Sequence, residues 1–170
     1  MKKDKENKEE KKVEGTRYLK RPTLEETNIL NPIQGQVKSP DKLLHFMKDV
    51  HDATIPKIWG IFLNKDYFSV GNEPLALGGN ADPEQFSTKG VAHFVSLFYA
   101  ERFITLTNHT TGDATPTEGD LKLMKRLERV AEVLEADFYD YVIVAGDHYW
   151  SMTVKNGKAC HCGQQHYISN

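Results

Sequence analysis

The stretch from Glu101 to Asp120 constrains this chain more than any other. Phe103 to Thr107 (Phe-Ile-Thr-Leu-Thr) is a short, mostly apolar run of the size a buried strand requires. A polar, Gly-containing loop follows, and Thr115 to Glu118 reads as a capped helix start. A strand that feeds through a polar loop into a helix N-terminus is a common place for a site. The loop exposes polar atoms, and the first helical turn offers N–H groups without intrahelical partners. His109 and Asp120 both lie in this stretch, and both are residue types that bind divalent metals. Two ligands make an incomplete site, and that shortfall governs every functional reading of the chain.

The flanking sequence supplies an α/β (α+β) frame. Ser39-Pro40 reads as an N-cap followed by proline at the first helical position. Leu43, Leu44, Met47 and Val50 then recur at helical spacing, predicting a short amphipathic helix that ends near His51. Ile58 to Leu63 is a continuous apolar run suited to a strand covered on both faces. Tyr67 to Val70 is expected to pair with it across a turn at Asn64-Lys65-Asp66, and the Gly-, Asn- and Pro-rich stretch Gly71 to Glu84 reads as a surface loop. Val91, Phe94, Val95 and Phe98 predict a helix over 85–100. A longer helix over 117–136 presents Leu121, Met124, Leu127, Ala131 and Leu134 on one face. Tyr141 to Ala145 is another buried strand, Gly146-Asp147 turns into a strand over 149–154, and Asn156-Gly157 signals a hairpin into a last strand.

Charge divides the chain. Net charge is −2, yet residues 1–20 carry eight Lys/Arg and five Asp/Glu, leaving fourteen basic and nineteen acidic residues in the remainder. An acidic body disfavours binding to nucleic-acid phosphates, which needs a clustered positive surface. Residues 1–15 read as a disordered charged tail, because so little apolar surface cannot offset the entropy of ordering. Residues 16–38 read as an extended arm, and 39–170 as one domain with a C-terminal hairpin extension. No apolar run approaches the roughly 20 residues of a membrane span, and the N-terminus lacks a hydrophobic signal region. The expected location is cytoplasmic. The spacing of Cys160 and Cys162 disfavours an intrachain disulfide and suggests free thiols in a reducing compartment.

Thr107-Asn108-His109-Thr110-Thr111-Gly112-Asp113, continuing to Pro116-Thr117-Glu118-Gly119-Asp120, resembles the signature of the RadC-like branch of the JAMM/MPN (JAB-type) metalloprotease superfamily. That branch has His-Asn-His-Pro-Ser-Gly-Asp followed by Pro-Ser-x-x-Asp. The similarity extends over roughly residues 38–154. Ser39-Pro40-Asp41 is similar to the family's opening segment, Trp59 to Asn64 to its first strand, and Val142 to Ser151 to its closing Ile-Val-x-Gly-Asp-x-x-Tyr-x-Ser. The resemblance implies a mixed central sheet flanked by helices, with a layering like that of cytidine deaminases. It also implies a zinc held by two histidines, an aspartate and a water. A first-strand glutamate activates that water, and a loop serine stabilises the oxyanion. Zinc brings the pKa of its water to about 7, within reach of a carboxylate base.

Carried over residue by residue, the resemblance leaves His109 and Asp120 as metal ligands. Thr107 stands at the first histidine position, Pro56 at the glutamate position, Thr110 at that of the proline, and Thr111 at that of the oxyanion serine. His51, Asp52 and His148 are candidates for compensation, as is Cys160-His161-Cys162 with His166, although a lone Cys-x-Cys is more simply structural. Asp120 has a second reading as a first-turn capping acid behind Thr117, with His109 hydrogen-bonded to it. Three functions follow: a catalytically impaired RadC-like scaffold that binds another protein, needing no cofactor; a zinc-dependent peptidase or isopeptidase with a remodelled site; and an accessory role in DNA transactions, which the acidic body does not support.

Overall fold

A computed structural model describes residues 33, 35–46 and 54–158. Its elements in chain order are α1 (Pro40–Phe46), β1 (Lys57–Leu63), β2 (Ser69–Leu77), a short 3-10 turn (Gly78–Ala81), α2 (Lys89–Leu97), β3 (Arg102–Asn108), α3 (Glu118–Leu134), β4 (Asp137–Ala145), β5 (His148–Ser151) and β6 (Lys155–Lys158). Six strands form one mixed sheet in the order β2-β1-β3-β4-β5-β6. Only β3 and β4 pair in parallel, and α3 is the crossover that parallel strands require. Among the described residues no helix is long and apolar enough to cross a membrane.

The central strands β1, β3 and β4 are largely buried because the sheet is covered on both faces. Ile58, Phe62, Phe103, Tyr141 and Ile143 pack under α2 and α3. Ile61, Leu63, Ile104, Leu106, Val142 and Val144 pack with Leu43 and Leu44 of α1 and with Ile33 and Val37. This two-sided burial is the physical origin of the continuous apolar runs at 58–63 and 141–145. The β1–β2 turn is held by Asn64, whose side-chain oxygen accepts from the N–H groups of Asp66 and Phe68 at 2.9 and 3.0 Å.

Four expectations change. Residues 71–77 belong to β2 rather than to a loop: Gly71 sits where an added Cβ would lie 2.5 Å from the Phe98 ring, and Pro74 lies on an edge strand, where a missing N–H is tolerated. The second helix starts at Lys89, since Gln85 and Phe86 close their own turn onto the Asp82 carbonyl. On α3, Leu121 is exposed and Leu123 takes its place in the core with Met124, Leu127 and Ala131. The last turn lies at Met152–Val154, and Asn156 and Gly157 are inside β6, opposite Trp150 and Tyr149. Asp140 fixes that turn by accepting from the Ser151 and Thr153 hydroxyls at 2.7 and 2.9 Å and from the Thr153 N–H at 3.2 Å. The charged tail, most of the arm, Met47 to Asp52, and the Cys160, Cys162 and His166 group lie outside the described residues.

Candidate functional site

A cleft of about 510 Å³ opens where β1 begins, β3 ends and α3 starts. Pro56, Gly79, Thr107, His109, Thr111 and Thr117 are among its lining residues. The sheet positions them. The Thr107 hydroxyl donates to the Lys57 carbonyl at 3.0 Å, and the His109 N–H donates to the Val144 carbonyl at 2.8 Å. Asn108 clamps the chain ahead of β1: its amide donates to the Ile55 carbonyl at 3.0 Å and accepts from the Lys57 N–H at 2.6 Å. Sequence reasoning missed Asn108, because an Asn in a turn-rich stretch carries no mark of such a role. The opposite wall is nearly bare backbone, with the Gly78 N–H donating to the Pro56 carbonyl at 2.8 Å. An added Cβ at Gly79 would meet nothing within 4 Å.

His109 and Asp120 meet at the base of the loop, Nε2 to Oδ2 at 3.1 Å. Asp120 is fully buried and heavily bonded. Its Oδ2 also accepts from the Thr117 N–H at 2.8 Å and the Thr117 hydroxyl at 2.6 Å, while Oδ1 accepts from the buried Tyr141 hydroxyl at 2.8 Å. The Asp120 N–H returns a bond to Thr117 Oγ1 at 3.2 Å, completing a capping box. The loop between them is shaped by Gly112 at φ +81° and by Asp113, whose carboxylate accepts from the Thr115 N–H at 2.8 Å.

The electrostatics follow from these bonds. Burial opposes ionisation of Asp120, yet the donors from His109, Thr117 and Tyr141 outweigh it and hold the carboxyl below its usual range. Burial likewise opposes a charged His109, but the Asp120 carboxylate and the Asp113 carbonyl raise its pKa overall. His109 Nδ1 lies 2.9 Å from that carbonyl, an atom that can only accept. Both ring nitrogens therefore face acceptors, the setting of an imidazolium. Desolvation pushes the Tyr141 hydroxyl well above its ordinary range, so it stays a donor.

What this arrangement can do is limited. Neither His109 nitrogen is free to take a proton from Thr110 or Thr111, so a hydroxyl–imidazole nucleophile is not assembled. A catalytic zinc normally takes three protein ligands. Among the described residues no three His, Cys, Asp or Glu side chains gather as a metal site. The Thr107 hydroxyl is committed to Lys57, and Pro56 has no titratable group. The described residues do not fit the family's zinc. His148 is exposed at the start of β5 and is not among the residues lining the cleft.

Comparison with known proteins settles the family. The family model for the RadC-like JAB domain matches residues 37–158. This chain belongs to that family. Three relatives are UPF0758 proteins. The one from Coprothermobacter proteolyticus is 23% identical over 138 residues, covering 81% of this chain and 57% of the relative. The one from Aquifex aeolicus is 24% identical over 115 residues, covering 68% and 49%. The one from Porphyromonas gingivalis is 28% identical over 100 residues, covering 56% and 42%. The chain thus spans about half the length of the curated relatives it matches. The RadC-like match includes Thr107, His109, Thr111 and Asp120, and the structure brings all but Asp120 to the cleft surface, Asp120 lying behind His109.

Proposed function

We propose that this RadC-like JAB domain is catalytically inactive or strongly impaired and serves as a protein-binding scaffold. One observation carries the reading: Pro56 and Thr107, which the family resemblance sets at the base and first-histidine positions, line a cleft that stays open. Gly79 adds support. Its φ is not in the left-handed region and no neighbour crowds its missing Cβ, so neither conformation nor packing requires glycine there. A bare backbone on a cleft wall suits close approach by a partner segment.

The test has two arms. The protein is assayed with zinc against fluorogenic peptide and isopeptide substrates, and partner capture from cells is compared between wild type and Gly79→Trp, which fills the cleft. No turnover, together with a partner retained by wild type and lost by the variant, is the expected result. Zinc-dependent turnover abolished by His109→Ala would overturn the reading.

A second reading, a zinc-dependent peptidase or isopeptidase with a remodelled site, draws on the orientation of His109. A ring whose Nδ1 is anchored on a carbonyl presents Nε2 in the manner of a metal ligand. The turnover assay decides between the two.

A further inference from the structure

The misfit between this chain and the family's zinc has a structural counterpart in the bonds around Asp120. One carboxylate takes four donors from three separate elements. Tyr141 on β4 supplies one to Oδ1 at 2.8 Å; Thr117 at the N-cap of α3 supplies two to Oδ2 at 2.8 and 2.6 Å; His109, just past β3, supplies one at 3.1 Å. A cation placed on Oδ2 and His109 Nε2 must displace the His109 donor and compete with both Thr117 donors. It would find no third His, Cys, Asp or Glu ligand among the described residues.

We infer that a hydrogen-bonded latch centred on Asp120 holds the cleft loop in this chain, so that the domain folds and the cleft keeps its shape without any metal. The latch joins the end of β3, the start of α3 and the middle of β4. The first two border the cleft, and β4 braces them from behind. Thr117 and Tyr141 are the members that stand at none of the metal-ligand positions carried over from the family, and Tyr141 reaches Asp120 from across the sheet. Tyr141 is fully buried and spends its hydroxyl on the carboxylate oxygen that His109 leaves free. A donor to an ionised, buried acceptor is among the stronger hydrogen bonds, so each arm of the latch counts. The inference deepens the non-catalytic reading: a scaffold cleft that needs no metal can present the same shape whatever the zinc supply.

The test uses the full chain. Melting temperature and amide hydrogen exchange are measured in chelator and in excess zinc sulfate, for wild type and for Tyr141→Phe, which removes the hydroxyl and keeps the ring. The latch predicts a wild-type melting temperature that zinc moves by no more than about 1 °C. It also predicts that Tyr141→Phe speeds exchange at the Thr117 and Asp120 amides by about tenfold, the equivalent of one such hydrogen bond. A zinc-induced rise of about 4 °C or more in wild type overturns it. So does exchange at Thr117 and Asp120 that Tyr141→Phe leaves unchanged. The zinc comparison needs no variant, so a misfolded Tyr141→Phe does not shield the claim. The two readings fail separately: a zinc-induced rise without cleavage sinks the latch alone, and cleavage in chelator sinks the non-hydrolytic function alone.

Discussion

Tyr141 on β4 donates its buried hydroxyl to the Asp120 carboxylate in the first turn of α3, at 2.8 Å. That contact gives the inward-facing Asp120 a partner, on the same face of the helix as its buried apolar residues. With Asp120 facing the sheet, Leu123, Met124, Leu127 and Ala131 follow it into the core, and Leu121 is left outside. One hydrogen bond thus links the packing of the longest described helix to the geometry of the cleft.

The helix packing is checked by truncation. Leu127 is fully buried in the cluster between α3 and the sheet. Leu127→Ala should lower stability by about 2–5 kcal/mol, the range for a large-to-small change at a buried site. Urea midpoints of wild type and variant should separate clearly. Coincident midpoints would mean that α3 is not seated as described.

The His109–Asp120 pair predicts a pH dependence. The folded pKa of His109 is raised, so its contribution is complete below the unfolded value of about 6.5 and fades as pH climbs through the folded value. The folded pKa of Asp120 is lowered, so its contribution is complete above about 3.9 and fades as pH falls through the folded value. The pair therefore stabilises most between about pH 4 and 6.5. His109→Gln should cost about 1–3 kcal/mol near pH 5.5 and progressively less toward pH 9. The stability difference between wild type and variant across that range is the readout, and a difference that grows with pH would refute the assignment.

The sequence made some of this legible and hid the rest for physical reasons. Phe103 to Thr107 announced an inner strand because both its faces are buried, and Thr117 announced its cap because the capping box is a local motif. Gly71 and Pro74 misled because a glycine under the Phe98 ring and a proline on a sheet edge use the same letters as a loop. Leu121 misled because Asp120 faces inward, where it meets the Tyr141 hydroxyl twenty-one residues away. The cleft residues Pro56, Thr107, His109 and Thr111 were found through the family motif. Asn108 and the Gly78–Gly79 wall depend on contacts across the fold that no local pattern encodes.

Restoring the missing ligand should restore metal affinity. Thr107 at the end of β3 and His109 just past it both line the cleft. Thr107→His should place a third ligand beside His109 and Asp120 and raise zinc affinity by about tenfold or more, measured by calorimetric titration. Hydrolysis should remain absent, because Pro56 cannot accept a proton from a bound water. Pro56→Glu in that background tests the base separately, although it also frees the backbone that proline restricts. No gain in zinc affinity from Thr107→His would mean that the family positions do not carry over to this loop.

The central claim is that the family's metal has been replaced here by hydrogen bonds. Elemental analysis of the protein purified without chelator tests it most directly. The account predicts well under one zinc per chain. One tightly held zinc per chain, lost in His109→Ala, would contradict it.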